Sequence, residues 1–336
     1  MTKKVVQLKL RGYMLILRQK KSTMGIRMDP HTASAFMENF VVTISFLLIG
    51  MAVKRVPDFS AETGKVLNLF VIYLSLPALI LLKIPDLIFS QNLLVPALMP
   101  WGMLFFSGAL ILLLAEMLQW DRATTGCLLL LVPLGNTSFF GIPMVKAFYG
   151  DQAIPYALLY DQLGSFLALA TYGSLILAFY GTGKSSPTFR GVLKKVILFP
   201  PFVALIFAFA LKGIAYPPIA ANLLKILSST LVPLVMVAVG FQLTLQLDGK
   251  VISQLGIGLA IKLIAAPLAA LFLCKMLGLQ GEAVRVSIFE AGMPPMVSAG
   301  ALAILADLSP ALTAALMGIG IVLSFATLPV LHQLLL

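Results

Sequence analysis

Long apolar stretches recur along the chain from about residue 37 to its end. A helix needs ~20 residues to cross the ~30 Å hydrocarbon core of a bilayer, and most of these stretches approach or exceed that length. The pattern predicts ten membrane-spanning helices, at 38–53, 63–83, 93–118, 122–149, 153–180, 192–212, 219–245, 251–276, 281–305 and 309–334. Because the stretches are continuously apolar rather than alternating, they favour an all-α integral membrane bundle over a β-barrel.

Composition supports this interpretation. Hydrophobic residues make up 60% of the chain and charged residues 11%, and the mean hydropathy is +1.01. Soluble domains are far less apolar. The connections between the predicted helices are short, so we expect the lipid bilayer to be the main surrounding of the chain and no soluble domain to be attached.

The net charge of +11 is concentrated at the N-terminus. Residues 1–36 contain eight Lys and Arg against Asp29 alone, whereas the rest of the chain contains sixteen basic and twelve acidic residues. The basic excess therefore does not predict a nucleic-acid partner. The 1–36 tail is either a basic segment on anionic lipid or the product of an upstream start codon, with Met28 or Met37 as the true beginning.

The chain resembles itself at two places. "NLFVIYLSLPALILLK" in the second predicted helix and "NLLKILSSTLVPLVMVAVG" in the seventh share a Ser, a Pro and an aliphatic run. Pro77 and Pro233 have nearly the same separation as Pro143 and Pro295. This pattern predicts two five-helix repeats, 37–181 and 192–336, joined by a basic cytoplasmic loop at 182–191. An odd number of helices inverts the second repeat, as in many secondary transporters. The alternative is coincidence, since Pro and Gly are common in membrane helices.

Two of the predicted helices contain polar, proline-containing breaks. In the fourth, Pro143 predicts that the helix beginning near Arg122 ends near Leu134 and that a half-helix starts around Pro143. In the ninth, Pro294 and Pro295 predict a half-helix that begins at Met296. Free amides at a half-helix N-terminus attract anions, and such backbone is tolerated in lipid only where it lines a cavity.

The breaks therefore supply the candidate substrate site. Asn136, Thr137 and Ser138 offer side-chain donors and acceptors, and Gly141 permits the turn. The complete set of candidate binding residues is Asn136, Thr137, Ser138, Gly141, Pro143, Met293, Pro294, Pro295 and Ser298.

Asp161, Lys262 and Glu290 lie near the middle of predicted helices. An isolated charge at that depth costs roughly 2.5–3.5 kcal/mol on insertion scales, so we expect these residues to face the protein interior. They are the candidates for coupling transport to an ion. The alternative is a structural bridge between Lys262 and one of the carboxylates.

Three motifs resemble a known family. They are "PLGNTSFFGIPM" from residue 133, "YDQLGSF" from 160 and "FEAGMPPMVSAGALA" from 289. Together they resemble the auxin efflux carrier family, including bacterial members labelled malonate or malate permeases, and the resemblance extends over 37–336. Plant members commonly have proline where this chain has Gly135, and the long cytoplasmic loop of plant carriers is reduced here.

The resemblance implies a fold similar to that of bile-acid sodium symporters and sodium/proton antiporters. Helices 1, 2, 6 and 7 would form a scaffold, helices 3–5 and 8–10 a moving transport domain, and helices 4 and 9 would cross at their breaks. It implies that Asn136 contacts a substrate carboxylate. The expected function is secondary transport of a small organic anion, such as a dicarboxylate or an auxin-like carboxylate, by an elevator motion, with a homodimer through the scaffold helices as a further expectation.

Other functions are less well supported by the sequence. A serine–histidine hydrolase needs a buried histidine, and His31 and His332 lie near the chain ends. We therefore expect no enzymatic activity and no cofactor, with sodium or protons as coupling ions. A sodium-coupled symporter or a sodium/proton antiporter of the same fold, or a membrane sensor without transport, remains an alternative.

Basic residues in the connections favour an extracellular N-terminus in the plasma (inner) membrane by the positive-inside rule. The cytoplasmic set in that orientation is Lys54, Arg55, Lys65, Arg122, Lys184, Arg190, Lys194, Lys195 and Lys250, and the outer set is Lys83, Lys146, Lys212, Lys225, Lys275 and Arg285. If the eight basic residues of the 1–36 tail are also counted, the rule favours a cytoplasmic N-terminus instead.

Overall fold

A computed structural model of the chain describes residues 30–85, 87, 93–182, 188–243 and 249–336. Some predicted features lie outside these residues: the tail up to residue 29, Lys184, and the side chains of His31, Lys195 and Lys250.

The regular structure of the described residues is helical, apart from one isolated bridge between two residues. In chain order the helices are α1 Pro30–Val53, α2 Thr63–Lys83, α3 Leu94–Met117, α4 Arg122–Leu131, α5 Ile142–Tyr149, α6 Asp151–Tyr180, α7 Phe189–Ile197, α8 Pro200–Ala210, α9 Pro218–Gln242, α10 Ile252–Met276, α11 Glu282–Ala291, α12 Val297–Leu305 and α13 Pro310–Leu335. Six of them, α2, α3, α6, α9, α10 and α13, are long and apolar enough to cross a membrane.

The predicted helix at 192–212 is not one helix in the structure. Helix α7 begins at Phe189, inside the stretch expected to be loop, and ends at Ile197, and α8 starts at Pro200. The cause is local. Phe199 has an extended backbone, as a residue before proline prefers, and Pro200 suits the first helical position because its missing N–H has no partner there.

Several long helices contain a wide π-helical turn. Those at Val71–Ser75 and Ile261–Ala265 each directly precede an α-helical segment with proline in its first turn. Proline cannot donate the usual backbone bond, and a wider turn is one way for a helix to accommodate it. Asp161 begins another π segment, Asp161–Phe166, and Lys262 lies in the second of the pair above. Asp161 and Lys262, two of the candidate ion-coupling residues, therefore lie in π-helical segments.

The helices pack in two groups. The first group contains α1, α2, α8 and α9: α9 contacts α1 and α2, and α8 contacts α2. The second group contains α3 to α6 and α10 to α13, which are linked by contacts such as α3 with α11 and α4 with α12. A separate hydrophobic cluster lies within the second group. Helix α5 and the turn before it connect the groups by packing against α1 and α9.

Two glycines allow the backbones of α1 and α9 in the first group to pack closely. A Cβ atom on Gly50 of α1 would lie 2.1 Å from the carbonyl oxygen of Val237 in α9, and one on Gly240 of α9 would lie 2.0 Å from that of Leu47 in α1. Small residues at such contacts let helix backbones approach closely in membranes. The two helices therefore meet backbone to backbone, at a distance that no larger side chain would permit.

Candidate functional site

The two predicted breaks meet in the structure. Helix α4 ends at Leu131 and α11 at Ala291, and the non-helical segments that follow lie antiparallel, with Gly135 opposite Pro295. We call this place the crossing and define it as residues 132–136 and 292–296. The backbone N–H of Asn136 donates to the carbonyl of Pro294 at 2.8 Å, and that of Met296 donates to Leu134 at 3.0 Å. Each break thus supplies the backbone partners that the other lacks.

The first break lies earlier than the sequence predicted. The helix ends at Leu131 rather than near Leu134, and helical structure resumes at Thr137, six residues before Pro143. A π turn over Thr137–Gly141 leads into α5, and the N–H of Gly141 reaches back to the carbonyl of Asn136 at 2.9 Å. Pro143 therefore lies in the first turn of α5, which begins at Ile142, so the α-helical part of the half-helix starts where the sequence predicted and only the preceding π turn was not expected. The second half-helix begins at Val297, one residue after the predicted start, with Ser298 partly buried in its first turn.

Asp161 connects α6 to the start of the first half-helix. Its carboxylate is 1% exposed. Oδ1 accepts hydrogen bonds from the hydroxyls of Thr137 at 2.6 Å and Ser138 at 2.5 Å. Oδ2 accepts from the Gln162 amide at 2.6 Å. These bonds bring three of the predicted site residues, Asp161, Thr137 and Ser138, into one network.

Gln162 is a site residue that the sequence analysis missed. It is fully buried, and its Oε1 has no hydrogen-bond partner within the described structure. The signal was present, because an amide beside a carboxylate in the middle of an apolar helix is unusual and "YDQLGSF" contains both. The mid-helix candidates were chosen among ionisable residues, so the neutral amide of Gln162 was not included.

Glu290 lies at the end of α11 and faces a glycine on the other broken helix. The residue is 0% exposed, and neither of its carboxylate oxygens has a hydrogen-bond partner among the described residues. A Cβ atom on Gly141 would lie only 2.4 Å from Oε2 and 2.8 Å from Oε1. The carboxylate thus occupies the space that the missing side chain of Gly141 leaves open.

The side chain of Lys262, from α10, also reaches the crossing. Its ammonium donates to the carbonyl of Ala291, the last residue of α11, at 3.2 Å, and lies beside Gly135. A helix C-terminus carries unsatisfied carbonyls and partial negative charge, so this cation is well placed there. Within the described part of the chain it forms no ion pair shorter than 4.0 Å, so the bridge to Asp161 or Glu290 that the sequence left open is not formed in the structure.

Asn136 is 2% exposed, and its side-chain Nδ2 has no hydrogen-bond partner in the described structure. Met293, Pro294 and Pro295 are buried in the second break. Buried polar atoms of both kinds therefore lack partners: a donor on Asn136 in the crossing, and acceptors on Gln162 and Glu290 in the helices that carry Asp161 and the second break. Buried polar atoms in proteins are nearly always paired, and exceptions need an explanation such as a ligand or an ion.

The structure places His332 inside the helix bundle, whereas the sequence analysis placed it at the periphery. It is 3% exposed and its ring contacts the rings of Phe148 and Tyr149, at centroid distances of 5.1 and 4.8 Å. The final helix, α13, extends to Leu335, so a residue near the end of the sequence is still inside the bundle.

Comparison with known proteins identifies the family of the chain. A family model described as "Membrane transport protein" matches residues 35–332. An uncharacterized transporter of Methanothermobacter thermautotrophicus is 27% identical over 297 residues, which cover 87% of this chain and 96% of that protein. An uncharacterized transporter of Methanocaldococcus jannaschii is 26% identical over 269 residues, covering 77% of this chain and 85% of the relative. The chain is therefore a multi-pass membrane protein that belongs to the auxin efflux carrier family of membrane transport proteins.

Proposed function

We propose that the protein is a secondary active transporter that binds a small organic anion, such as a dicarboxylate, at the crossing and carries it across the plasma membrane by an elevator motion. The observation that carries the proposal is the pairing of two broken helices around buried polar atoms that lack partners. Interrupted helices of this kind form substrate sites in many secondary transporters.

An anion is favoured by the chemistry of the first break. The Asn136 amide is a buried donor without an acceptor, and the half-helix beginning at Thr137 directs free backbone N–H groups toward the crossing. The Lys262 ammonium adds a positive charge beside Gly135. A carboxylate that accepts from Asn136 satisfies the orphaned donor.

The two packing groups suit an elevator. The first group, held by the Gly50 and Gly240 contacts, is the proposed scaffold, and the second group contains the crossing and is the proposed moving body. Each group takes helices from both predicted repeats, 37–181 and 192–336, and we keep ten helices in two inverted five-helix repeats as part of the proposal. We further propose that a second copy binds along the exposed apolar faces of α2 and α9, where Val66 is 60% and Leu223 56% exposed.

Glu290 is the proposed coupling group. An ionised carboxylate buried without a hydrogen bond is strongly unfavourable, and the Lys262 ammonium at the crossing forms no close ion pair with it, so we propose that this side chain binds a cation, of which a proton is the smallest. Asp161 differs because three side chains already donate to it. We therefore assign Asp161 to shaping the first break and Glu290 to the exchange of the coupling ion.

Transport measurements in proteoliposomes test the proposal. We expect saturable uptake of one or more labelled mono- or dicarboxylates, accelerated by a proton or sodium gradient. Glu290→Gln should abolish gradient-driven accumulation while substrate exchange continues, because the binding geometry survives and the ion site does not. Binding without accumulation by the wild-type protein would indicate a sensor and would refute transport.

The same samples distinguish the coupling ions and the orientation. A pH gradient alone should drive uptake if the ion is a proton, and a sodium gradient alone if it is sodium. Under the proposed orientation a cysteine replacing Lys65, whose side chain is 71% exposed, should react only from the cytoplasmic side. The native Cys127 and Cys274 are buried and provide a low background.

A further inference from the structure

A second polar cluster lies toward the ends of α5 and α11 that are far from the crossing, where these helices meet α13. Tyr149 ends α5, and its ring lies 5.2 Å from that of Phe289 in α11 and 4.8 Å from that of His332 in α13. Arg285 is one turn before Phe289 on α11 and so faces the same side of that helix. The three polar residues, Tyr149, Arg285 and His332, therefore converge from three helices.

Two donors in this cluster have no acceptor. The Arg285 Nε and the Tyr149 hydroxyl are both buried atoms without a hydrogen-bond partner in the described structure. Arg285 is the cationic residue of the cluster. Glu282, one turn earlier on α11, forms no ion pair with it, and the nearby Asp151 pairs instead with Lys83 and Lys146. The cluster thus carries a positive charge that the described residues do not neutralise.

The hydrogen-bond donors of the cluster suit an oxyanion as ligand. A guanidinium presents N–H donors in a planar fork that matches a carboxylate, and a phenol adds a further donor. Bonds of this charge-assisted kind are about twice as strong as neutral ones. A carboxylate that accepts from Arg285 and Tyr149 satisfies both orphaned donors at once.

The cluster lies close to the proposed transport path. Arg285 precedes Glu290 by five residues on α11, which is about 8 Å along the helix axis. Phe148, which contacts His332, also packs against Phe40 of α1 at a ring distance of 5.5 Å. The cluster therefore lies beside the boundary between the two packing groups, on the side of the crossing where α5 and α13 end.

We propose that Tyr149, Arg285 and His332 form a second anion site that holds a carboxylate of the transported substrate between the membrane surface and the crossing. The proposal rests on the proposed function, since it names the route by which the anion reaches Asn136. The site is distinct from the crossing because its donors belong to the far ends of the same helices.

Binding of labelled malonate to the full-length protein in phosphatidylcholine nanodiscs tests the site. The Asn136→Ala background weakens the central site, so residual binding reports the second one. Adding Arg285→Gln should lower the residual affinity by about tenfold to a hundredfold, and Tyr149→Phe by a smaller factor. Arg285→Lys keeps the charge and should restore part of the affinity. Lys275→Gln, which removes an exposed cation near the same membrane edge, is the matched control and should have no effect.

Two results would overturn the second site. One is residual binding that is equal with and without Arg285→Gln in protein that remains monodisperse. The other is displacement of malonate by phosphatidylglycerol only when Arg285 is present, which would identify a lipid headgroup as the occupant. The assay requires no transport, so a failure of gradient-driven uptake would refute the proposed function and leave this result standing.

Discussion

Replacing Gly141 with alanine tests whether the position of the Glu290 carboxylate matters. The added Cβ would lie 2.4 Å from Oε2, whereas ordinary contact begins at 3.4 Å, so the carboxylate must retreat by about 1 Å. The backbone itself does not resist the change, because Gly141 has φ −62 and ψ −54, a conformation that alanine adopts readily. The perturbation is therefore directed at a single side chain.

The expected loss of stability is small and the expected loss of coupling is large. Overpacking costs about 1–3 kcal/mol, and replacing a helical glycine with alanine stabilises by about 0.5–1 kcal/mol, which leaves a net loss of roughly 0–2.5 kcal/mol. A misplacement of about 1 Å at a reacting group can lower a rate by ~100-fold. We expect gradient-driven uptake by Gly141→Ala to fall at least about tenfold, while thermal unfolding in detergent changes by only a few degrees.

Two variants serve as controls for this experiment. Gly102→Ala makes the same chemical change in α3, where a Cβ would meet no atom within 4 Å, and should leave both uptake and stability intact. Glu290→Asp in the Gly141→Ala background shortens the acid by one methylene and should relieve the contact. A folded Gly141→Ala protein that accumulates substrate at the wild-type rate would refute the argument that Glu290 acts from this position.

Three further perturbations have defined outcomes. Asn136→Ala should weaken anion binding by about tenfold to a hundredfold in calorimetric titrations, because only the side-chain donor is lost, and unchanged affinity would remove the residue from the site. Gly240→Ala should lower the unfolding temperature, because the new Cβ meets the backbone carbonyl of Leu47 at 2.0 Å and overpacking costs about 1–3 kcal/mol; an unchanged melt would contradict a rigid α1–α9 contact. The Thr124 backbone N–H donates to Asp121 at the start of α4 and lowers the pKa of that carboxyl below its usual 3.8. The cap's stabilisation should thus be complete above about pH 4 and be lost as the pH falls further, so melts of wild type and Asp121→Asn should differ at neutral pH and converge in acid.

Several long helices were well predicted because hydrophobic length determines them, whereas the helix predicted at 192–212 is two helices. The bounds expected for 63–83 and 251–276 agree with α2 and α10 to within a residue. Both breaks were also expected, since proline and glycine in an apolar stretch disturb the helix. The π turn over Thr137–Gly141, which precedes Pro143 and resumes helical structure early, was not expected, because turn width depends on neighbours that a local pattern does not contain.

The contacts that the buried charged residues make could not be predicted from the sequence. Counting residues placed Asp161, Lys262 and Glu290 near mid-depth and left a bridge between Lys262 and one of the carboxylates as an alternative. In the structure Lys262 bonds instead to the carbonyl of Ala291, and Glu290 faces Gly141. Both contacts depend on how α10, α11 and the first break are rotated relative to one another, and rotation is determined by packing across the whole bundle rather than by depth.

The pairing at the crossing has a consequence for synthesis of the chain. Gly135 and Pro295, which lie opposite each other, are separated by a long stretch of sequence, so the first break enters the membrane well before its partner exists. At a translation rate of about 5–20 residues per second, the delay is roughly 8–30 s. During that interval the Asn136 N–H and the Leu134 carbonyl lack the partners that they have in the finished protein. The nascent first half must keep these groups hydrated or shielded by the insertion machinery, which makes it a client for membrane chaperones until the second half arrives.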